Sequence, residues 1–242
     1  MDALYAWLGS RQDLALPVFA ALFGGTALLL VFAWLRSRRG EAERAEELKL
    51  AGLSQVELPP HVAERIRRLQ NGGASLSLRN VWRAGQSDGE LYMLDLWDTG
   101  GDNSSRTAQG LIVILSRKLA LPRLHVIPRF ENLGWFGKLL GPLFSRLVDW
   151  GAGRRGLSRV SFPDEPHLDA ALLVVSSDPG RARAFLGGSR SLWLAQLSTP
   201  LQWEGDGDLL CVRSWDWTGT RKAPSVSGAL ENARALYSVL TR

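Results

Sequence analysis

Residues 75–99 read "SLSLRNVWRAGQSDGELYMLDLWDT", two runs of β-forming residues separated by the sequence QSDG at 86–89. Leu76 and Leu78 alternate with polar residues, and a period of two is typical of a strand with one buried face. Ser, Asp and Gly at the centre favour a tight turn between neighbouring strands. The stretch therefore predicts an antiparallel β-hairpin.

Segments of the same character continue on the C-terminal side of this hairpin. Strands are predicted at residues 75–84, 90–99, 108–116, 123–129 and 169–177, the first four as one antiparallel meander. The later segment "PLQWEGDGDLLCVRSWDW" predicts a second hairpin that turns at residues 205–208. The chain therefore combines an antiparallel meander with a further strand and a second hairpin.

Helical segments alternate loosely with these strands. Asp178 precedes Pro179, and this pair predicts a helix whose first turn is capped by the aspartate side chain. Two further helices are predicted from apolar residues that recur on one face, Val62, Ile66 and Leu69 after Pro59, and Leu230, Ala233, Leu236, Tyr237 and Leu240 from about Val226. The predicted fold class is α+β, with antiparallel strands packed against helices in one domain.

The N-terminal part of the chain has a different character. Residues 14–35 read "LALPVFAALFGGTALLLVFAWL" and contain no charged residue. A helix of this length covers about 33 Å, which matches the hydrocarbon thickness of a bilayer. Trp7 and Trp34 lie near its two ends, where aromatic side chains favour the membrane interface. The run predicts a single-pass transmembrane helix, with the lipid bilayer as its partner.

Basic residues next to this run predict its orientation. Arg36, Arg38 and Arg39 follow it directly, against Arg11 and the α-amino group on the other side. Positive charge favours the cytoplasmic side, so we expect an inner-membrane protein with a cytoplasmic C-terminal domain. The predicted order is a short extracytoplasmic N-terminus at 1–13, the transmembrane helix at 14–35, a basic juxtamembrane stalk at 36–58 and the α+β domain at 59–242.

A second apolar segment lies at residues 133–150. On a helical wheel its large apolar side chains share one arc: Leu133, Phe136, Leu139, Leu140, Leu143, Phe144, Leu147 and Trp150. It cannot span a membrane, because it is short and includes Lys138, Arg146 and Asp149. Two interpretations remain open, a helix packed in the core of the domain and a helix lying in the plane of the membrane surface.

Composition excludes some functional classes. The formal charge is +5, but the basic residues are spread along the chain and no recognition motif accompanies them, so we expect no nucleic-acid partner. Cys211 is the only cysteine, which excludes an internal disulfide and any CxxC metal site. The sequence also contains no G-x-S-x-G motif, and neither His61 nor His125 has a spacing that suggests a triad.

The densest group of potential metal ligands is "FPDEPHLD", which contains Asp164, Glu165, His167 and Asp169. Carboxylates and an imidazole could bind a metal ion or serve as acid and base if the two prolines fold them inward. The simpler interpretation is a polar turn that leads into a strand. We therefore predict no cofactor and no metal, with these four residues as the candidates to examine.

Four segments together resemble a family of uncharacterised bacterial membrane-anchored proteins, a domain of unknown function. They are "YMLDLWDTGGDNSSRTAQGLIVILS", "LALPRLHVIPR", "GLSRVSFPDEPHLDAALLVVSSDPGRARAFL" and "LQWEGDGDLLCVRSWDW". The resemblance covers about residues 75–240 and implies a membrane anchor before the domain. The chain departs from the pattern at Leu96-Trp97, where a tyrosine pair is usual, and has extra residues around "VDWGAGRRG". The resemblance assigns no functional residue.

These observations predict a single-pass membrane-anchored protein whose domain binds or scaffolds without catalysis. A protein partner or a second copy of the chain is expected in addition to the lipid bilayer. The alternative is a membrane-tethered hydrolase or metal-dependent enzyme that uses the acidic turn around His167.

Overall fold

The chain forms two compact units, Met1–Leu50 and Ala51–Arg242. The computed structural model describes residues 42–70, 76–86, 88–98, 108–129, 146, 148–197, 201–214 and 225–242. In the first unit, residues 42–50 are helical, in agreement with the helix-forming composition of the predicted stalk. No helix within the described ranges is both long and apolar enough to cross a membrane. The transmembrane helix predicted at 14–35 lies outside those ranges.

The second unit is built on an antiparallel sheet. Its described strands are β1 Ser54–Gln55, β2 Leu76–Gln86, β3 Gly89–Asp98, β4 Ala108–Ser116, β5 Leu121–Pro128, β6 Ser158–Val160, β7 Leu172–Ser176, β8 Leu201–Gly207 and β9 Leu209–Ser214. They form one sheet in the order β1-β2-β3-β4-β9-β8-β5-β7-β6. The α+β class is confirmed, and the four strands predicted first agree with β2 to β5 within two residues at each end.

The prediction of a four-strand meander is wrong at its last strand. β4 and β5 are joined by residues 117–120, yet the β8–β9 hairpin lies between them in the sheet. Ile112 of β4 pairs with Val212, and Val126 of β5 pairs with Trp203. These partners lie far apart in the chain, so the alternation of residues within each strand carries no signal of the insertion.

Helices cover both faces of the sheet. The labelled helices are α1 Pro60–Leu69, α2 Pro166–Ala171, α3 Pro179–Leu186, α4 Ser189–Ala195 and α5 Val226–Leu240, and residues 148–154 are also helical. Val62 and Ile66 of α1 pack against Leu111 and Val113 of β4. We call this side the α1 face. Ser116 points to the opposite side, the α5 face, where its Oγ lies 2.8 Å from Tyr237 Oη.

Both faces confirm the helical periodicity in the sequence. The predicted apolar stripes of α1 and α5 are buried throughout: Val62, Ile66, Leu69, Leu230, Ala233, Leu236, Tyr237 and Leu240. On the α1 face, Val148 and Ala152 of the helical residues 148–154 pack against Ile127 and Val175, in a second cluster. The α1 face therefore carries two apolar clusters, one under each helix.

Two boundaries differ from the sequence prediction. Residues 169–171 were expected to begin a strand, but they complete α2, and β7 begins at Leu172. Pro166 occupies a first-turn position of that helix and Leu168 is fully buried beneath it, so one helical turn forms where alternation suggested a strand. Residues 51–58, predicted as part of the stalk, belong to the second unit, and β1 pairs with β2 there.

Most of the amphipathic segment predicted at 133–150 lies outside the described ranges. Within its described part, Trp150 was assigned to the apolar stripe, but its side chain is 60% exposed. Val148 and Ala152 face the sheet instead. Because these residues are spaced by four, they lie on one side of the helix and leave Trp150 on the other.

The predicted cap at Asp178 is confirmed, because its Oδ1 accepts a hydrogen bond from Arg181 N at 2.9 Å and Pro179 follows it. We expect Asp178→Ala to lower the free energy of unfolding by about 1 kcal/mol, since a first-turn amide loses its acceptor. Denaturant unfolding of the full chain in detergent measures the change. Asp178→Asn keeps an acceptor and is the control. Equal losses in the two variants would show that the cap does not contribute.

Candidate functional site

Between the two apolar clusters, three neighbouring strands bring polar side chains to the α1 face. β5 contributes His125, β8 contributes Gln202 and Glu204, and β9 contributes Arg213. His125 pairs directly with Glu204, and Gln202 pairs with Arg213. Glu204 also pairs with Cys211, a member of the α1 cluster, so these side chains share the α1 face. We call the four residues the His125–Glu204 cluster.

The members of this cluster contact one another. His125 Nε2 lies 3.3 Å from Glu204 Oε1 and 2.8 Å from Gln202 Nε2. Arg213 Nη2 lies 3.4 Å from the same Glu204 oxygen. Glu204 is only 3% exposed and Gln202 8%. Since the Gln202 amide donates, His125 Nε2 accepts, and a proton shared with Glu204 is carried on the carboxyl oxygen.

Burial determines where that proton lies. Removal from water raises the pKa of Glu204 to about 7, although Arg213, Arg155 and Arg123 oppose the shift. Burial also lowers the pKa of His125 to about 3, with added repulsion from Arg213 and Arg155. The usual order of a carboxylic acid and an imidazole is therefore inverted in this cluster. Near pH 6 the carboxyl group holds the proton and the imidazole is neutral.

Cys211 stands beside the cluster but is a poor nucleophile. Its thiol is buried, and burial together with the neighbouring Glu204 raises its pKa well above the usual value. The thiolate is therefore not populated near neutral pH. Chemically, the His125–Glu204 cluster can hold and exchange one proton, and its polar groups are engaged with one another.

The acidic turn predicted from the sequence does not form a comparable cluster. Asp164 is exposed in the turn before α2. Glu165 Oε1 accepts a hydrogen bond of 2.5 Å from Gly188 N. His167 Nε2 lies 3.2 Å from Ser191 Oγ. Glu165 and His167 therefore connect α2 to the start of α4, each through its own partner.

Asp169, the fourth candidate, has a separate set of partners. Its Oδ2 accepts from Phe162 N at 3.2 Å and from Ser161 Oγ at 3.3 Å. Among the residues that the structure describes, no three His, Cys, Asp or Glu side chains form a group that could hold a metal ion. Glu165 and Asp169 instead accept hydrogen bonds that stabilise the connections around α2.

The predicted membrane residues lie outside the described ranges. They are Trp7, Trp34, Arg36, Arg38 and Arg39. These predictions rest on the sequence.

Sequence reasoning missed the His125–Glu204 cluster. In the predicted second hairpin, Gln202 and Glu204 alternate with Leu201 and Trp203, and polar residues at alternate positions are typical of the solvent-facing side of a strand. His125 was set aside because no triad spacing surrounds it. The cluster could have been found from its cross-strand pairs, in which His125 lies opposite Glu204 and Gln202 lies opposite Arg213. To use these pairs, one must first know which strands are neighbours.

The fold and this cluster define the class of the protein as an antiparallel α+β domain with a buried acid–imidazole pair on one face of its sheet. No protein-family model matches the chain. No curated protein matches it either. Among solved structures, the chain is similar to the mycobacterial trehalose monomycolate transport factor A, TtfA, at 12% identity and a TM-score of 0.45. That match covers 81% of this chain and 92% of the TtfA chain. A likeness of this extent says nothing about what this chain binds.

The inverted acidities predict opposite pH dependences for two single variants. Between about pH 5 and 6 the folded chain holds one proton on Glu204, and the unfolded chain holds one on His125. The two states bind equal numbers of protons, so the pair adds no slope to stability in this range. Glu204→Gln leaves only the unfolded-state proton, and stability should rise with pH by about 1.4 kcal/mol per unit. His125→Gln leaves only the folded-state proton, and stability should fall with pH by a similar amount.

Denaturant unfolding of the full chain in detergent, at several pH values between about 5 and 6, measures these slopes relative to the unsubstituted chain. The sign of each slope is the readout, because both variants also lose cluster contacts and stability at every pH. Slopes of the same sign would mean that the proton is not held as the geometry requires.

Proposed function

We propose that this chain is a single-pass inner-membrane protein whose cytoplasmic domain binds a protein partner without catalysis. Support for the anchor comes from the sequence, in which residues 14–35 are uncharged and three arginines follow. The alternation of buried strands and helices within Ala51–Arg242 supports a folded domain on the C-terminal side of that anchor.

One observation carries the binding role. Leu192 and Trp193 are adjacent on α4 and remain 57% and 46% exposed. Neighbouring exposed apolar side chains are uncommon on a surface without a partner, and tryptophan is enriched among residues that dominate binding energy. The Arg242 guanidinium lies over the Trp193 ring at 4.7 Å, which adds a cationic group to the same surface.

The underside of α4 holds these side chains in place. Ser191 and Leu194 are buried, and Ser191 Oγ donates to Gly188 O at 2.8 Å. Arg190 donates from Nη1 to Phe185 O at 3.0 Å while its guanidinium lies over the Phe185 ring at 4.4 Å. A surface fixed in this way loses little conformational entropy when it binds.

The non-catalytic part of the proposal rests on the contacts of the chemically capable groups. Within the described ranges, the Glu204 carboxyl group contacts His125 and Arg213, and the acidic turn is divided among separate partners. The alternative is the hydrolase or metal-dependent enzyme that uses the turn around His167. Metal analysis of the purified full chain separates the two, because a bound stoichiometric metal that is lost in His167→Ala would favour the enzyme.

The anchor and its direction can be tested in cells. A reporter fused after Arg242 should be active only as a cytoplasmic fusion, and the full chain should fractionate with membranes. The reason is the excess of arginine immediately after residue 35. Activity of a periplasm-dependent reporter at the same position would contradict the orientation, and recovery of the fusion without membranes would contradict the anchor.

The α4 surface can be tested by photo-crosslinking in the intact membrane. A photoreactive residue at Leu192 should give one discrete adduct, and Trp193→Asp should remove at least about nine-tenths of it, as expected for a buried aromatic contact. Because both side chains are largely exposed, neither change should alter the unfolding midpoint appreciably.

The matched control places the photoreactive residue at Gly85, an exposed position on β2 where an added Cβ is unobstructed. An adduct with the mass of two chains identifies a second copy as the partner. Equal adducts at both positions, or an adduct unaffected by Trp193→Asp, would contradict the assignment of the α4 surface.

A further inference from the structure

The helical residues around Trp150 present a different kind of surface. Val148 and Ala152 face the sheet, where they pack against the second apolar cluster. Arg146, Trp150 and Arg154 are exposed and follow one another at intervals of four residues. Such spacing places three side chains in a row along one side of a helix. We call this row the Arg-Trp-Arg face.

Trp150, the tryptophan of this row, is exposed and stacked against an arginine. Its side chain is 60% exposed, and the Arg154 guanidinium lies 3.8 Å from the centroid of its ring. The stack orients the indole and keeps a cation beside it. Trp150 is therefore exposed to solvent, with the Arg154 guanidinium stacked on its ring.

The charge around this row is strongly positive. The described residues from 146 to 159 contain four arginines and one acidic residue, Asp149. Asp149 Oδ2 lies 3.7 Å from Arg159 Nη1, so the acid is already engaged with one of the four. Arg155, like Arg146 and Arg154, is exposed. Arg155 follows Ala152 by three residues, on the side of the sheet, and its charge acts on the buried His125–Glu204 cluster. The side of the helix that carries Trp150 therefore offers two cations, Arg146 and Arg154, together with one aromatic ring.

We propose that the Arg-Trp-Arg face docks on the anionic headgroups of a lipid bilayer. Arginine forms bidentate hydrogen bonds with phosphate, and tryptophan favours the depth of the headgroups, where its ring is apolar and its N–H is wet. One ring flanked by two cations suits a charged, laterally mobile surface, whereas the exposed apolar pair Leu192 and Trp193 of α4 suits a protein partner. The inference rests on the proposed anchor in one respect, that the anchor keeps a bilayer within reach.

Docking also accounts for the part of the amphipathic segment that the structure describes. The sequence left two interpretations open, a core helix and a membrane-surface helix. Val148 and Ala152 satisfy the first, and the exposed Arg-Trp-Arg face has the features of the second. One side of the helix therefore belongs to the domain and the other is available to lipid.

A fluorescent label at position 153 can report this contact. Gly153 is exposed, and a Cβ built there meets no atom within 4 Å, so Gly153→Cys should be tolerated. Cys211 is buried and its thiol pKa is raised, so the label should react at residue 153. The labelled full chain is incorporated into nanodiscs of phosphatidylcholine or phosphatidylglycerol that contain a lipid with a quencher on its headgroup. The control label is at Gly85 of β2, where an added Cβ is also unobstructed.

The label at 153 should be quenched in phosphatidylglycerol discs, with the quenching lost at high salt, and only weakly quenched in phosphatidylcholine discs. Arg146→Gln with Arg154→Gln should reduce the ratio of docked to undocked chain about fivefold per arginine. Arg181→Gln with Arg234→Gln, two exposed arginines on α3 and α5, removes the same charge and should leave quenching unchanged. Equal unfolding midpoints of the two double variants confirm that both are folded.

Several outcomes would overturn the docking proposal. The label could be quenched equally in both lipids, or equally at positions 153 and 85. The two double variants could have equal effects. Without lipid, the label at 153 could be shielded from a soluble quencher to an extent that increases with protein concentration. The last would identify a second copy as the occupant. Failure to enter discs would overturn the anchor instead, and sedimentation of the same labelled chain with phosphatidylglycerol vesicles would then decide the docking.

Discussion

The pairing of the β8–β9 hairpin with β4 on one side and β5 on the other holds the sheet together. β4 and β5 are joined by residues 117–120 but are separated by the width of this hairpin. Ser116 N donates to Asp208 O at 2.9 Å at the hairpin turn, and Arg65 of α1 forms an ion pair with Asp208. Gly207 has a φ of +63°, which glycine adopts without strain. Every described route of hydrogen bonds across the sheet passes through these two strands.

Because the hairpin completes the sheet, it also completes the polar cluster. The hairpin carries three members of the cluster, Gln202, Glu204 and Arg213. The fourth, His125, lies on β5, which is much earlier in the chain. Until the hairpin inserts, Glu204 is solvated and has an ordinary acidity. Insertion of the hairpin removes water from Glu204 and raises its pKa. The proton that His125 binds in the unfolded chain is therefore held by Glu204 once the sheet has formed. Contacts of such sequence separation form slowly, since a long loop must close first.

Local signals in the sequence predicted the elements well and their arrangement poorly. The correct predictions depend on residues that are close in the sequence. They are the alternation in β2 to β5, the apolar stripes of α1 and α5, and the Asp178 cap. The position of the hairpin depends on pairs such as Ile112 with Val212, which no local pattern encodes. The cluster was missed for the same reason, because a glutamate beside Trp203 looks solvent-facing until its neighbouring strands are known. The exposure of Trp150 was missed because a helical wheel shows which residues share a side and not which side meets the sheet.

The buried contact of Glu204 with Arg213 does not by itself argue for greater stability, because desolvation of the two polar groups offsets much of their attraction. Its consequence is for register. A slip of β8 by one residue would turn Glu204 to the α5 face, among Leu124, Val126 and Leu210, and away from Arg213. A buried carboxyl group left without a hydrogen-bond partner costs about 1–3 kcal/mol, a large share of the stability of a domain. Because β5 and β9 carry buried apolar residues on both faces, the polar cluster adds a side-chain signal that favours the native register over a slip by one residue.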